Sequence, residues 1–103
     1  MNDTYRITLH SPLGIRYGVL TIRDAGEDAR LVFSLFGIQS ELAAEKRGDA
    51  VEFGGDLRFI TGTRPCAGEF TVSGEEIKGR LCLRGVSIPL LGSLDKTPEE
   101  AKI

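Results

Sequence analysis

Seven stretches of the chain repeat one pattern, a small residue followed by apolar residues at every second position. They are Gly18-Val19-Leu20-Thr21-Ile22, Ala29-Arg30-Leu31-Val32-Phe33, Ser40-Glu41-Leu42-Ala43-Ala44, Gly55-Asp56-Leu57-Arg58-Phe59, Gly68-Glu69-Phe70-Thr71-Val72, Gly79-Arg80-Leu81-Cys82-Leu83 and the shorter Gly92-Ser93-Leu94. Alternation with period two places one set of side chains on a buried face and the other in water, which is the mark of a half-buried strand. The copies start at 18, 29, 40, 55, 68, 79 and 92. Short returns of this kind, with turn residues between them, mark consecutive antiparallel hairpins.

The strands can be placed in order. The first is Tyr5–Leu9, with Tyr5, Ile7 and Leu9 inward, and Pro12 and Gly14 supply its turn. The second runs over about 15–23 and the third over about 29–37, with Val32 and Phe36 on its outer face. Residues 40–47 are ambiguous. Ser40, Glu41, Lys46, Arg47 and Gly48 have the cap and charge order of a two-turn helix. A helix so short gains little by itself, and the repeat continues through Ser40, so we expect a fourth strand at about 38–45, with at most one helical turn at 41–46. A fifth strand at about 50–60 and a loop over 61–65 lead to a sixth at about 66–72. The seventh carries Ile77, Gly79, Leu81 and Leu83 inward and Lys78, Arg80 and Arg84 outward, facing Glu52, Asp56 and Glu69 across the sheet. The eighth runs over about 86–94, and Pro89, which lacks a donor, marks it as an edge or a bulge.

Eight strands in meander order predict an all-β fold, a small antiparallel up-and-down barrel over residues 1–95 that Pro89 could leave partly open. A polar tail follows at 96–103. The inward small residues let a short sheet coil tightly enough to close. At 103 residues the chain suffices for one core. A filled interior is expected, because four inward phenylalanines (Phe33, Phe53, Phe59 and Phe70) occupy much of a barrel built from strands of about nine residues.

The repeated Gly-x-Leu strands, together with Pro12-Leu13-Gly14, resemble a group of short bacterial all-β proteins. The resemblance covers most of the chain and implies a compact β-barrel. It departs from the group at 40–47 and brings no catalytic residue with it.

A net charge of −2 offers no electrostatic case for nucleic acid or an acidic membrane surface. No run is long enough to cross a bilayer as a helix, and the first residues lack the form of a signal peptide, so a cytoplasmic protein is expected. His10 is the only histidine and lies beside Ser11, whose side chain points to the opposite face of a strand. Cys66 and Cys82 have opposite parity on neighbouring strands, so both are expected as free thiols. No cofactor or metal site is read from these residues.

Arg16 has inward parity at a strand end. It either snorkels out at the barrel rim or anchors the mouth of a pocket, with Tyr17 or Asp24 near it. A ligand inside the barrel would meet Arg16, Tyr17, Phe33, Phe53 and Phe70. Val32, Phe36, Ile60 and Leu91 are apolar at outward parity and suggest a homodimer through the third strand. The resulting functional expectation is a non-catalytic interaction or self-associating module, with a binder of a small apolar ligand as the alternative. An isomerase or cyclase ranks last, for want of a titratable cluster.

Overall fold

A computed structural model describes residues 2–25 and 28–95. It contains eight strands: β1 (Asn2–Ser11), β2 (Gly14–Ala25), β3 (Asp28–Leu35), β4 (Ile38–Arg47), β5 (Ala50–Phe59), β6 (Gly62–Ser73), β7 (Glu76–Leu83) and β8 (Val86–Leu94). Each pairs antiparallel with the next. The sheet closes where Tyr5–Leu9 of β1 pairs with Leu94–Leu90 of β8. The barrel is therefore closed. Pro89 interrupts nothing at the seam, because the β1–β8 ladder stops one residue short of it, at Leu90.

Alternation holds along the strands. Tyr5, Ile7 and Leu9 of β1, Leu20 and Ile22 of β2, Leu31, Phe33 and Leu35 of β3, and Ile77 and Leu81 of β7 are all buried. Residues 40–47 form strand rather than helix. Ser40 and Leu42 are buried and Ala44 half-buried, while Gln39, Glu41 and Ala43 face out. Flanking strands on both sides outweigh the local helix signal. Two further boundaries differ from expectation. The third strand ends at Leu35, and Phe36-Gly37 form a two-residue turn with φ of 55° and 77°. No loop spans 61–65. The turn is Ile60-Thr61, and Thr63, Arg64 and Pro65 already pair with Arg58, Leu57 and Asp56. Arg84 lies in the last hairpin turn, at φ 54°, and not on the outer face of a strand. The connection at 26–27 and the tail at 96–103 lie outside the described residues.

Close approach of the strands explains several of the repeat glycines. A Cβ at Gly79 would collide with the Glu69 carbonyl oxygen and stand 2.5 Å from Phe70 Cα, so β6 and β7 can lie this close only over a glycine. Gly55 has φ 149°, a backbone conformation that favours glycine. The β4–β5 ladder stops at Ala43–Gly54, and beyond it the Arg58 backbone N–H donates to buried Ser40 Oγ at 2.7 Å. A side chain thus satisfies a backbone group beyond the end of that ladder.

The outer wall carries charged pairs on most strands, and exposed Ile15, Tyr17 and Val19 on β2 and Leu91 on β8. Glu69 and Arg80 face each other across β6 and β7 and form an ion pair at 3.0 Å, and Arg30 meets Glu41 at 3.6 Å. A wall carrying such residues is not a lipid-facing one.

Candidate ligand-binding site

Four hairpin turns gather at one end of the barrel: Pro12-Leu13, Phe36-Gly37, Ile60-Thr61 and Arg84-Gly85. This end, the mouth, opens into a hollow of about 350 Å³. Its wall consists of inward side chains from the last turns of the strands. Leu9, Leu35, Leu57, Phe59, Leu81, Leu83 and Ile88 line it, and Ser11, Leu13, Arg16, Phe36, Arg84 and Val86 are at its rim. The volume falls at the lower end of the range typical of small-molecule sites, roughly 300–1,000 Å³.

Below the hollow the interior is filled. Phe33, Phe53 and Phe70 stack in tilted contact, with ring centroids 5.4 and 6.0 Å apart. All three are buried and none lines the hollow. The filled core expected from the sequence therefore holds only for this lower part. Phe59 does not join the aromatic stack but stands half-buried at the mouth. The strands run from 8 to 12 residues, and the longest extend the wall beyond the level the aromatics fill.

Of the residues singled out in the sequence, Arg16 lines the hollow, and its Nη1 donates to the Ile15 carbonyl at 3.2 Å. Tyr17 points outward and is exposed. Asp24 pairs with Ala29 near the opposite end of β2, so its backbone is remote from Arg16. Phe36 and Ile60 are at the mouth, as turn residues, while Val32 is half-buried on the outer wall of β3 and Leu91 lies on that of β8. These four do not form one surface, since β8, β1, β2 and β3 follow one another around the barrel.

The leucines of the hollow follow the inward parity of the repeats, but neither they nor Arg64 and Arg84 stood out as site residues. Arg64 is half-buried and opposite Leu57 in the β5–β6 ladder, so it shares the inner face at the mouth. Its Nη1 donates to the Thr63 carbonyl at 3.2 Å. A signal for this end was present. The stretches 9–16, 33–40, 57–64 and 81–88 flank the four turns and contain Arg16, Arg58, Arg64, Arg84 and His10, but no aspartate or glutamate. The far end carries Asp3, Asp49, Glu75, Glu76 and Asp95 beside Lys46, Arg47 and Lys78. Among the described residues Arg16, Arg64 and Arg84 form no ion pair with a carboxylate.

His10 is exposed on the outer face. Cys66 is buried and pairs with Leu83, whereas Cys82 is exposed and pairs with Ala67, and both are free. Burial, and secondarily the charge of Asp56, push the Cys66 thiol up to about 11. Among the described residues no three of His, Cys, Asp and Glu gather where they could hold a metal ion. No family model matches the chain, and neither a curated protein nor a solved structure does.

Proposed function

We propose that the barrel is a non-catalytic binding module that takes a small apolar or amphiphilic chain into the hollow at its mouth. One observation carries this reading: an open hollow of about 350 Å³ whose wall is almost wholly leucine, isoleucine and phenylalanine. Transfer of apolar surface from water into such a site is favourable by about 0.8 kcal/mol per methylene, or roughly fourfold in affinity for each one. The arginines at the rim would orient a polar head outward. A homodimer through β3 has less behind it, because Val32, Phe36, Ile60 and Leu91 share no single surface.

Titration with an environment-sensitive apolar dye tests the reading. Saturable one-to-one binding is expected, with competition by straight-chain fatty acids that strengthens with chain length until the hollow is full. Leu83→Trp, at a half-buried position of the wall, should plug the hollow and abolish binding while the native fold is retained. Binding that never saturates, or that survives Leu83→Trp, would remove the basis for this function.

A further inference from the structure

Beyond the hollow itself, the mouth carries a second feature, in the side chains that point away from the barrel. Three of its four turns end in large apolar residues where turn residues are ordinarily small or polar. Leu13 is 87% exposed, Ile60 88% and Phe36 60%. Phe36 occupies a left-handed conformation, φ 55°, as does Arg84 at φ 54° in the fourth turn. Two-residue hairpin turns of this kind require positive φ at both residues, so the fold holds Phe36 and Arg84 in a conformation that is costly for residues other than glycine.

Charge decides what such a surface can meet. The flanking stretches hold four arginines and no acid, and the nearest carboxylates in sequence, Glu41 and Asp56, belong to the wall. Glu41 is already engaged with Arg30 at 3.6 Å. Two copies meeting mouth to mouth would oppose Arg64 and Arg84 on both sides without a counter-charge. The far end of another copy supplies acids, but among the described residues its turns, Gly48-Asp49 and Gly74-Glu75, offer no apolar surface. The partner that suits this end is apolar and anionic at once, and flat enough to receive several turns together.

We infer that the mouth docks on an anionic lipid bilayer. Leu13, Phe36 and Ile60 enter the interfacial layer, and Arg64 and Arg84 meet the lipid phosphates, while Arg58 lies beside Glu41 on the outer wall. The barrel stands upright on the membrane, because its charged wall stays in water. The net charge of −2 conceals this preference, since the acids are sorted away from the mouth. Docking does not require the hollow to be occupied, although it would bring the opening against the acyl chains.

Sedimentation with vesicles tests the inference. The intact chain should pellet with vesicles containing equal shares of phosphatidylcholine and phosphatidylglycerol, and far less with phosphatidylcholine alone. Each arginine near the surface contributes roughly fivefold, so Arg64→Gln with Arg84→Gln should weaken binding by about 25-fold, and added salt should weaken it further. Leu13→Asp with Ile60→Asp, both in exposed turns that the core does not need, should abolish it with the circular dichroism unchanged. No binding to the mixed vesicles, equal binding to neutral ones, or binding indifferent to Leu13→Asp and Ile60→Asp would overturn the inference. Dye binding by a chain that ignores vesicles would overturn docking and leave the hollow standing. A concentration-dependent dimer lost on Ile60→Asp, without vesicle binding, would give the surface to a second copy instead.

Discussion

Cys66 and Cys82 occupy two adjacent strands in opposite environments. Folding holds the Cys66 thiol protonated by burying it, raising its pKa from 9.0 to about 11. The folded chain therefore binds more protons than the unfolded one between these values. The resulting contribution to stability is complete below pH 9 and is lost as the pH rises through 11. Tyr5 acts in the same direction, its pKa raised first by burial and then by Asp3. Urea unfolding across this alkaline range should show falling stability, with a shallower fall in Cys66→Ala. A slope that Cys66→Ala leaves unchanged would mean the thiol is not held protonated by the fold. The opposite placement of the two thiols was legible from parity alone, whereas the turn conformation of Phe36 was not. In sequence, Phe36 continues the outer face of β3, and only the two-residue turn with Gly37 removes it from the strand. If left-handed geometry there is retained against stability, Phe36→Asn should stabilise the barrel by about 1 kcal/mol, seen as a rise in Tm of roughly 4–8 °C. A fall in Tm would show that the ring contributes more to the fold than its exposed position suggests.

Among the strands, Gly18, Gly68 and Gly79 at the heads of their repeats are glycine because a Cβ there would run into the backbone of the neighbouring strand. Gly79→Ala puts a Cβ against β6 backbone, which has no room to give, and should destabilise by about 1–3 kcal/mol. Gly54→Ala is the contrasting case, since a Cβ there stands at an ordinary 3.6 Å from the Cys66 carbonyl oxygen. Its effect should stay within about 0.5 kcal/mol. Thermal melts of the two variants side by side check the contrast, and equal losses would contradict the account of close packing. The period of two showed where strands lie because a register slip would turn every buried side chain to water. It was less informative where turns are only two residues long and made of Phe36-Gly37 or Ile60-Thr61, because neither pair breaks the alternation visibly. It also gave no sign that the Arg58 N–H would bond to Ser40 Oγ beyond the end of the β4–β5 ladder, since that bond joins residues 18 apart. β4 was read correctly against its own helix-like caps because pairing on both sides governs a strand inside a closed sheet.

Considered whole, the barrel is polarised along its axis. Backbone bonds tie strands together at the acidic end, from Val72 N–H to the Asp49 carbonyl at 2.8 Å and from Asp95 N–H to the Thr4 carbonyl at 2.8 Å. The middle is occupied by Phe33, Phe53 and Phe70, and the cationic end is open and apolar. Bulk composition cannot reveal this arrangement, because a net charge of −2 sums over both ends. The hollow was hidden for a related reason. Counting inward phenylalanines says how much volume they fill but not at which height along the barrel they fill it, and Phe59 stands apart from the others. The central claim is that one apolar chain enters at the mouth and stops above the aromatic layer. Nuclear Overhauser measurements on methyl-labelled leucine, with decanoate as ligand, test it most directly. The account predicts contacts from the acyl chain to the methyls of Leu35, Leu57, Leu81 and Leu83, with the carboxylate end toward Arg16 and no contact to the Phe53 or Phe70 rings. Contacts confined to the outer wall at Leu91 or Val19, or none at saturating decanoate, would contradict it.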